Sequence, residues 1–269
     1  MMRVLVCNVA CAIALASTGV AQSHAALGTT AGLVTLGGQR SEQAWGGVLE
    51  YDPNPWLSLY AMPALLHVSD TASGRTVSRS GLGDLPLVAA ADYSSPAPGS
   101  PSIGAALVAV LPTGNAACGL GSGETATGID VGVGLSPGQT HLSADVSHSI
   151  SSGAAQSTVG AANVTTLRLE AGYDVAPRWT GTASVGVDVG AADSTLGRVI
   201  GAGVRHTLRS GIMITLDGSH GLTSAAPRWV LALGFGTAFA GGSPVTPTTP
   251  LRRLKTAFGG STAGKITCR

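Results

Sequence analysis

The residues of this sequence that could do chemistry are few and far apart. His148 and Ser149 put an imidazole base beside a hydroxyl nucleophile, the pair that acyl transfer requires. No carboxylate is placed near them in sequence to orient the imidazole, so no catalytic role is expected. His67, His141, His206 and His220 lack the short spacings through which side chains share a metal ion. Gly119-Leu120-Gly121-Ser122-Gly123 has the look of a phosphate-cradling loop, but no alternation of helix and parallel strand surrounds it. A flexible surface loop is the better reading. Neither enzyme activity, metal nor cofactor is expected.

A different group of residues shares one property. Asp130, Asp145, Arg168, Glu170, Asp188, Arg205 and Asp217 each stand on the polar side of a segment whose other side is apolar, and His141 shares the side of Asp145. Charges held on one face of a sheet can line a water-filled passage and set which ions or solutes enter it. Asp130 and Asp145 flank the turn at Pro137-Gly138 and are expected to lie nearly opposite each other, where like charges repel. Arg205 and Asp217 flank a second turn at Gly211 and are expected as neighbours of opposite sign.

The elements that would position these residues are strands, because successive strand side chains point to opposite faces. Trp179, Gly181, Ala183, Val185, Val187 and Val189 alternate with Thr180, Thr182, Ser184, Gly186 and Asp188. Leu167, Leu169, Ala171 and Tyr173 alternate in the same way with Arg168, Glu170, Gly172 and Asp174. The pattern predicts strands over 29–38, 43–51, 56–68, 81–94, 101–112, 127–137, 139–149, 163–175, 178–189, 197–208, 211–220 and 228–239. The span 101–112 is apolar on both sides, so alternation does not orient it. Short links such as 136–139 and 176–177 alternate with longer ones at 69–80, 113–126, 150–162, 190–196 and 221–227. With twelve strands, every short turn falls on the side of both termini, as it does in bacterial outer-membrane barrels.

Composition supports an apolar solvent around this sheet. Hydrophobic residues make up 44% of the 269 residues and charged ones only 11%, too few to coat a water-soluble domain of this size. The formal charge of +1 gives no basis for nucleic-acid binding. No stretch after the start approaches the ~20 apolar residues of a spanning helix, so a membrane-embedded chain must cross as a closed sheet, the alternative being a soluble extracellular β-sandwich with the same alternation. Tyr51, Trp56, Tyr93, Tyr173, Trp179 and Phe239 fall at strand ends on the short-turn side, with Trp45 and Trp229 at the other, as interfacial girdles do.

Arg3 followed by the apolar run from Val4 to Val20 reads as an export signal, with cleavage before Ala26, or near Ala21. Cys11 lacks a lipobox around it. The expected organisation is a signal peptide over 1–25, an all-β, transmembrane, antiparallel up-and-down barrel over 26–239, and a disordered periplasmic tail over 240–269. That tail holds Arg252, Arg253, Lys255, Lys265 and Arg269. After cleavage only Cys118 and Cys268 remain, in segments assigned to opposite sides of the membrane, so no disulfide is expected.

Gly81-Leu82-Gly83-Asp84-Leu85, with Leu111-Pro112-Thr113-Gly114 ending the next strand and Gly119, Gly121 and Gly123 in the loop beyond, resembles an outer-membrane family labelled a probable component of the meta-pathway of phenol degradation. The resemblance implies a bacterial outer-membrane barrel that passes small hydrophobic or aromatic molecules. Its partners would be outer-membrane lipid, a small solute and, during biogenesis, the barrel-assembly machinery. A structural or adhesive barrel that transports nothing is the alternative.

Overall fold

The computed structural model describes residues 24–36, 40–54, 56–72, 74–94, 100–151, 164–189, 197–224, 226 and 228–239. The expected signal peptide up to residue 23 and the expected tail over 240–269 lie outside the described residues. The described chain forms one antiparallel sheet of fourteen segments. These are β1 (His24–Leu36), β2 (Arg40–Asn54), β3 (Leu57–Ala61), β4 (Ala64–Ala72), β5 (Arg75–Leu82), β6 (Leu85–Ser94) and β7 (Ser102–Leu111). They continue with β8 (Ala126–Leu135), β9 (Thr140–Ser151), β10 (Val164–Ala176), β11 (Trp179–Val189), β12 (Arg198–Thr207), β13 (Met213–Gly221) and β14 (Trp229–Phe239).

β1 pairs with β2 on one side and with β14 on the other, from Ala25↔Phe239 to Thr35↔Trp229, so the sheet closes on itself. β3 and β4 are two halves of one stave, as are β5 and β6, which makes a closed barrel of twelve staves. Closure removes the edge that would otherwise leave a row of unpaired N–H and C=O groups in lipid.

Exposure alternates along the staves as the sequence does. In β8 every second residue is exposed, and those are Thr127, Ile129, Val131, Val133 and Leu135. Leu107 is 63% exposed and Ile103 53%, while Ala106 between them is buried, so the doubly apolar span 101–112 is oriented by what lies inside. The inward Val108 packs with Tyr60 and Val88 against Val48 and Met62, both fully buried, so one wall of the lumen is itself apolar. At the rims, Trp179 stacks on His206 with ring centroids 4.1 Å apart and His220 meets Trp229 at 4.3 Å.

Two staves depart from the expected form. The span 56–68 breaks at Met62-Pro63, where proline has no N–H to give the ladder. Three bonds carry the pairing across the gap: Met62 N donates to Pro86 O at 3.0 Å, Gly47 N to Pro63 O at 2.8 Å and Gly83 N to Ala64 O at 2.9 Å. Residues 62–64 here face 83–86, one residue more, because Ala61 pairs with Leu87 and Leu65 with Leu82. That extra residue is a bulge: the less exposed positions are 79, 81 and 83 before it and 88 and 90 after it.

The second departure concerns 69–80, expected as a loop but folded as the top of the β4–β5 hairpin. Its side chains are polar on both faces and bond across the strands, Ser69 Oγ to Ser78 Oγ at 2.8 Å and Thr71 Oγ1 to Thr76 Oγ1 at 2.9 Å. A hairpin that rises beyond hydrocarbon into water loses its apolar alternation, which is why the pattern failed to mark it.

The outward face is expected to tolerate no charge. Leu169→Arg, at the middle of β10 and 47% exposed, should lower folding free energy in lipid vesicles by about 2–4 kcal/mol in urea titrations. Ser184→Arg, on the inward face of the paired strand, should cost much less.

Candidate functional site

The lumen contains two distinct assemblies, an acidic wall along its length and a latch at its long-loop end. Along the wall, exposure alternation puts Asp130, His141, Asp145, Arg168, Glu170, Asp188, Arg205 and Asp217 on the inward side of β8 to β13. Glu50, Asp52 and Asp92, which sequence reasoning did not single out, share that side on β2 and β6. Orienting Asp92 required knowing the bulge, whereas Glu50 and Asp52 alternate directly with the outward Leu49 and Tyr51.

Register decides which of these groups meet. Asp145 lies opposite Gly132, not Asp130, which is offset along the strand opposite Ser147. The two carboxylates, expected nearly opposite each other, are diagonal neighbours across the β8–β9 pair. Asp217 lies opposite Gly203 while Arg205 lies opposite Thr215, so these two are also diagonal. Arg168 contacts Glu170 on its own strand and lies beside Asp145 on the next. Asp188 Oδ1 accepts from Thr166 Oγ1 at 2.7 Å and its Oδ2 from Gly197 N at 3.0 Å. His141 turns to the short-turn end, with Nε2 3.1 Å from Asp174 Oδ2 and Nδ1 3.2 Å from Ser136 Oγ.

The carboxylates share a mode of seating. Asp92 lies opposite Gly104, Asp145 opposite Gly132 and Asp217 opposite Gly203, and a Cβ on any of these glycines would collide with the carboxylate. Each carboxylate is thus laid across the neighbouring backbone. Asp92, Asp130 and Asp145, with Ser102 and Ser143, border a cavity of about 100 Å³ that Ala90, Ala106 and Val133 also line.

His148 and Ser149 stand on opposite faces of β9, as adjacent strand residues must. His148 Nδ1 lies 2.9 Å from Thr165 Oγ1, while buried Ser149 gives its hydroxyl to Val164 O at 3.3 Å. In this arrangement the imidazole does not reach the hydroxyl.

The latch joins the three glycine-rich motifs that lie apart in sequence. Asp84 projects from the bulge, accepts Gly114 N on Oδ1 at 3.0 Å, and accepts both Ser122 N and Ser122 Oγ on Oδ2 at 2.7 and 2.8 Å. Thr113 Oγ1 donates to Gly83 O at 2.9 Å. Gly81 makes room for buried Leu120, and Gly121 lies where any side chain would strike Asp84 and the Gly114 backbone. Leu111 and Pro112 end β7 and start the loop that Asp84 holds.

Arginines complete the hold. Arg40, 6% exposed, pairs with Glu42 at 2.9 Å and Asp70 at 3.6 Å and donates to Gly119 O at 3.2 Å. Arg79 pairs with Asp70 at 2.9 Å and donates to Cys118 O at 3.4 Å. These arginines lie on the inward side of β2 and β5, so the loop over 112–125 is drawn onto the inner face of the mouth. Cys118, expected free, is disulfide-bonded. The expectation failed because it assumed that no other cysteine could reach this end of the barrel.

Removing the Asp84 carboxylate deletes three bonds to a charged acceptor, worth about 2 kcal/mol in total after neighbours and water adjust. Asp84→Ala should lower barrel stability by that amount in urea titrations and accelerate amide exchange at Gly114 and Ser122. Gly121→Ala should also destabilise, by displacing the carboxylate and crowding the Gly114 backbone, and the double variant should cost less than the sum of the two single ones. Strict additivity would show that the loop is held by something else.

Comparison with known proteins places this geometry. Among solved structures the chain resembles the COG4313 outer membrane channel from Pseudomonas putida F1, with 16% identity, 83% of this chain and 97% of that chain covered, and a TM-score of 0.61. The CymD monoaromatic hydrocarbon channel aligns at 10% identity over 81% of this chain and 89% of that one, with a TM-score of 0.46. No curated protein matches the sequence. Residues 17–239, which take in every described strand and the whole latch, match one family, and the chain belongs to it: the outer-membrane β-barrel family described as "Putative MetA-pathway of phenol degradation".

Proposed function

We propose that the barrel passes small apolar or aromatic molecules, neutral or cationic, across the outer membrane. The observation that carries this reading is the mixed lumen lining, in which an apolar cluster of Tyr60, Val88 and Val108 over Val48 and Met62 stands among inward carboxylates such as Glu50, Asp92 and Asp130. A ring can lie along the first while its polar group stays hydrated at the second. Asp130, Asp145, Asp188 and Asp217 would discriminate by charge, since anions entering a low-dielectric passage lined with carboxylates are repelled. Family membership and the structural likeness to an outer membrane channel from Pseudomonas putida F1 support the same reading.

Liposomes carrying the whole chain should take up a phenol faster than a benzoate of the same size. Placing a carboxylate on the apolar wall, with Val88→Asp and Val108→Asp, should slow phenol entry several-fold while changing entry of a small sugar little. Absence of uptake for every solute, with the barrel shown folded by heat-modifiable gel mobility, would leave the structural or adhesive reading in its place.

A further inference from the structure

Among the described strand residues, charge is sorted by face, with Arg198 as the exception. The Asp and Glu residues of β2 to β13 stand on the inward side, and so do Arg40, Arg75, Arg79, Arg168 and Arg205. Arg198 points the other way. It opens β12, is exposed, and shares the outward face with Ile200, Ala202 and Val204. Its cross-strand neighbour Val187 faces outward as well. The ion pairs among the described residues engage Arg40, Arg79, His141 and Arg168, all of them inward.

An arginine aimed at lipid is costly within hydrocarbon and tolerated at headgroup depth, where its stem lies on apolar surface and its head reaches polar groups. Arg198 stands at that depth on the long-loop side. Its carbonyl accepts Leu222 N at 2.7 Å, just past the end of β13 at Gly221. Trp229, at the start of β14 and opposite His220, marks the interface beside it.

The neighbours of Arg198 are arranged for an anion that also carries hydroxyls. His220 lies opposite Ile200, two residues from Arg198, so the two are diagonal neighbours roughly 7–8 Å apart on the outward face. The imidazole is fixed in place: Nδ1 donates to Arg228 O at 2.7 Å, and the ring centroid lies 4.3 Å from that of Trp229. A carbonyl can only accept, so Nδ1 carries the proton and Nε2 of the neutral ring accepts one from a ligand hydroxyl. Arg228 is itself exposed at this rim. Ile200, Leu222 and Trp229, each about half exposed, supply apolar surface around the polar groups.

We propose that Arg198, His220 and Arg228 form a docking site on the outside of the barrel for the phosphorylated sugar headgroup of an outer-leaflet glycolipid. The guanidinium fork of Arg198 takes the phosphate through paired hydrogen bonds, with Arg228 adding a second positive charge. His220 takes a sugar hydroxyl, and the acyl chains lie on the apolar staves below. The site is independent of what the lumen passes, because it faces away from it.

Native mass spectrometry of the whole chain, folded in detergent and mixed with diphosphoryl lipid A, tests the site. Bound lipid is expected, with several-fold less binding of the dephosphorylated form. Arg198→Gln should reduce binding of the phosphorylated form to that of the dephosphorylated one, and Arg198→Lys, which keeps the charge without the fork, should retain part of it. Heat-modifiable gel mobility shows that each variant is folded. Equal binding of the two lipid forms, or undiminished binding by Arg198→Gln, would overturn the proposal. So would an equal loss in Arg209→Gln, since Arg209 lies in a turn at the opposite end and such a loss would mean diffuse attraction to cations. Phosphatidylglycerol bound as tightly as lipid A would overturn the glycolipid as occupant, and displacement by an equal concentration of inorganic phosphate would overturn a lipid altogether.

Discussion

Everything in this structure follows from the need to satisfy backbone hydrogen bonds where no water is available. A strand edge in hydrocarbon leaves each N–H and C=O without a partner, at a cost of several kcal/mol per group. The pairing of β1 with β14 removes that edge, and it does so over the full run from Ala25↔Phe239 to Thr35↔Trp229. Once the sheet is closed, side-chain alternation has only two destinations, lipid and lumen. That is how a chain with 11% charged residues can set Asp, Glu and Arg on one continuous inner surface.

The break at Met62-Pro63 is also the place where the mouth is organised. Pro63 forbids one ladder bond, and the extra residue opposite it lets Asp84 leave the wall. A carboxylate freed from the ladder can accept backbone N–H groups from a loop, and Asp84 takes Gly114 and Ser122. Sheet irregularities re-aim side chains at low cost because the neighbouring bonds persist. Here Met62 N, Gly47 N and Gly83 N keep their acceptors on both sides of the bulge.

Alternation made the twelve staves and the inner faces of most of them legible in the sequence, but not those of 101–112, which is apolar on both sides, or of β6 beyond its bulge. Arg168 and Glu170 could be assigned to the lumen from Leu167, Leu169 and Ala171 alone. Register was not legible to the same degree. The spacing of Asp130 and Asp145 around Pro137-Gly138 suggested a direct pair, but the turn geometry shifts Asp145 opposite Gly132. The β4–β5 hairpin was missed because strand pairing above the membrane needs no apolar face, only cross-strand bonds such as Thr71 to Thr76. The latch was visible as three glycine-rich motifs, yet nothing local says that Asp84 reaches Ser122, since that contact depends on how β7 returns to the mouth.

The glycine content takes its meaning from the same constraints. A composition with Gly counted 39 times suggests a loose chain, but several of these residues face carboxylates across the sheet. Asp92 over Gly104, Asp145 over Gly132 and Asp217 over Gly203 repeat one arrangement in which the absence of a Cβ lets a charged side chain lie against the wall. Asp84 uses Gly121 in the same way at the latch. A carboxylate standing upright from each stave would fill so narrow a barrel, since interiors of small barrels are readily closed by their own side chains. Laid flat over glycine, the same charge stays on the inner wall and takes up less of the lumen.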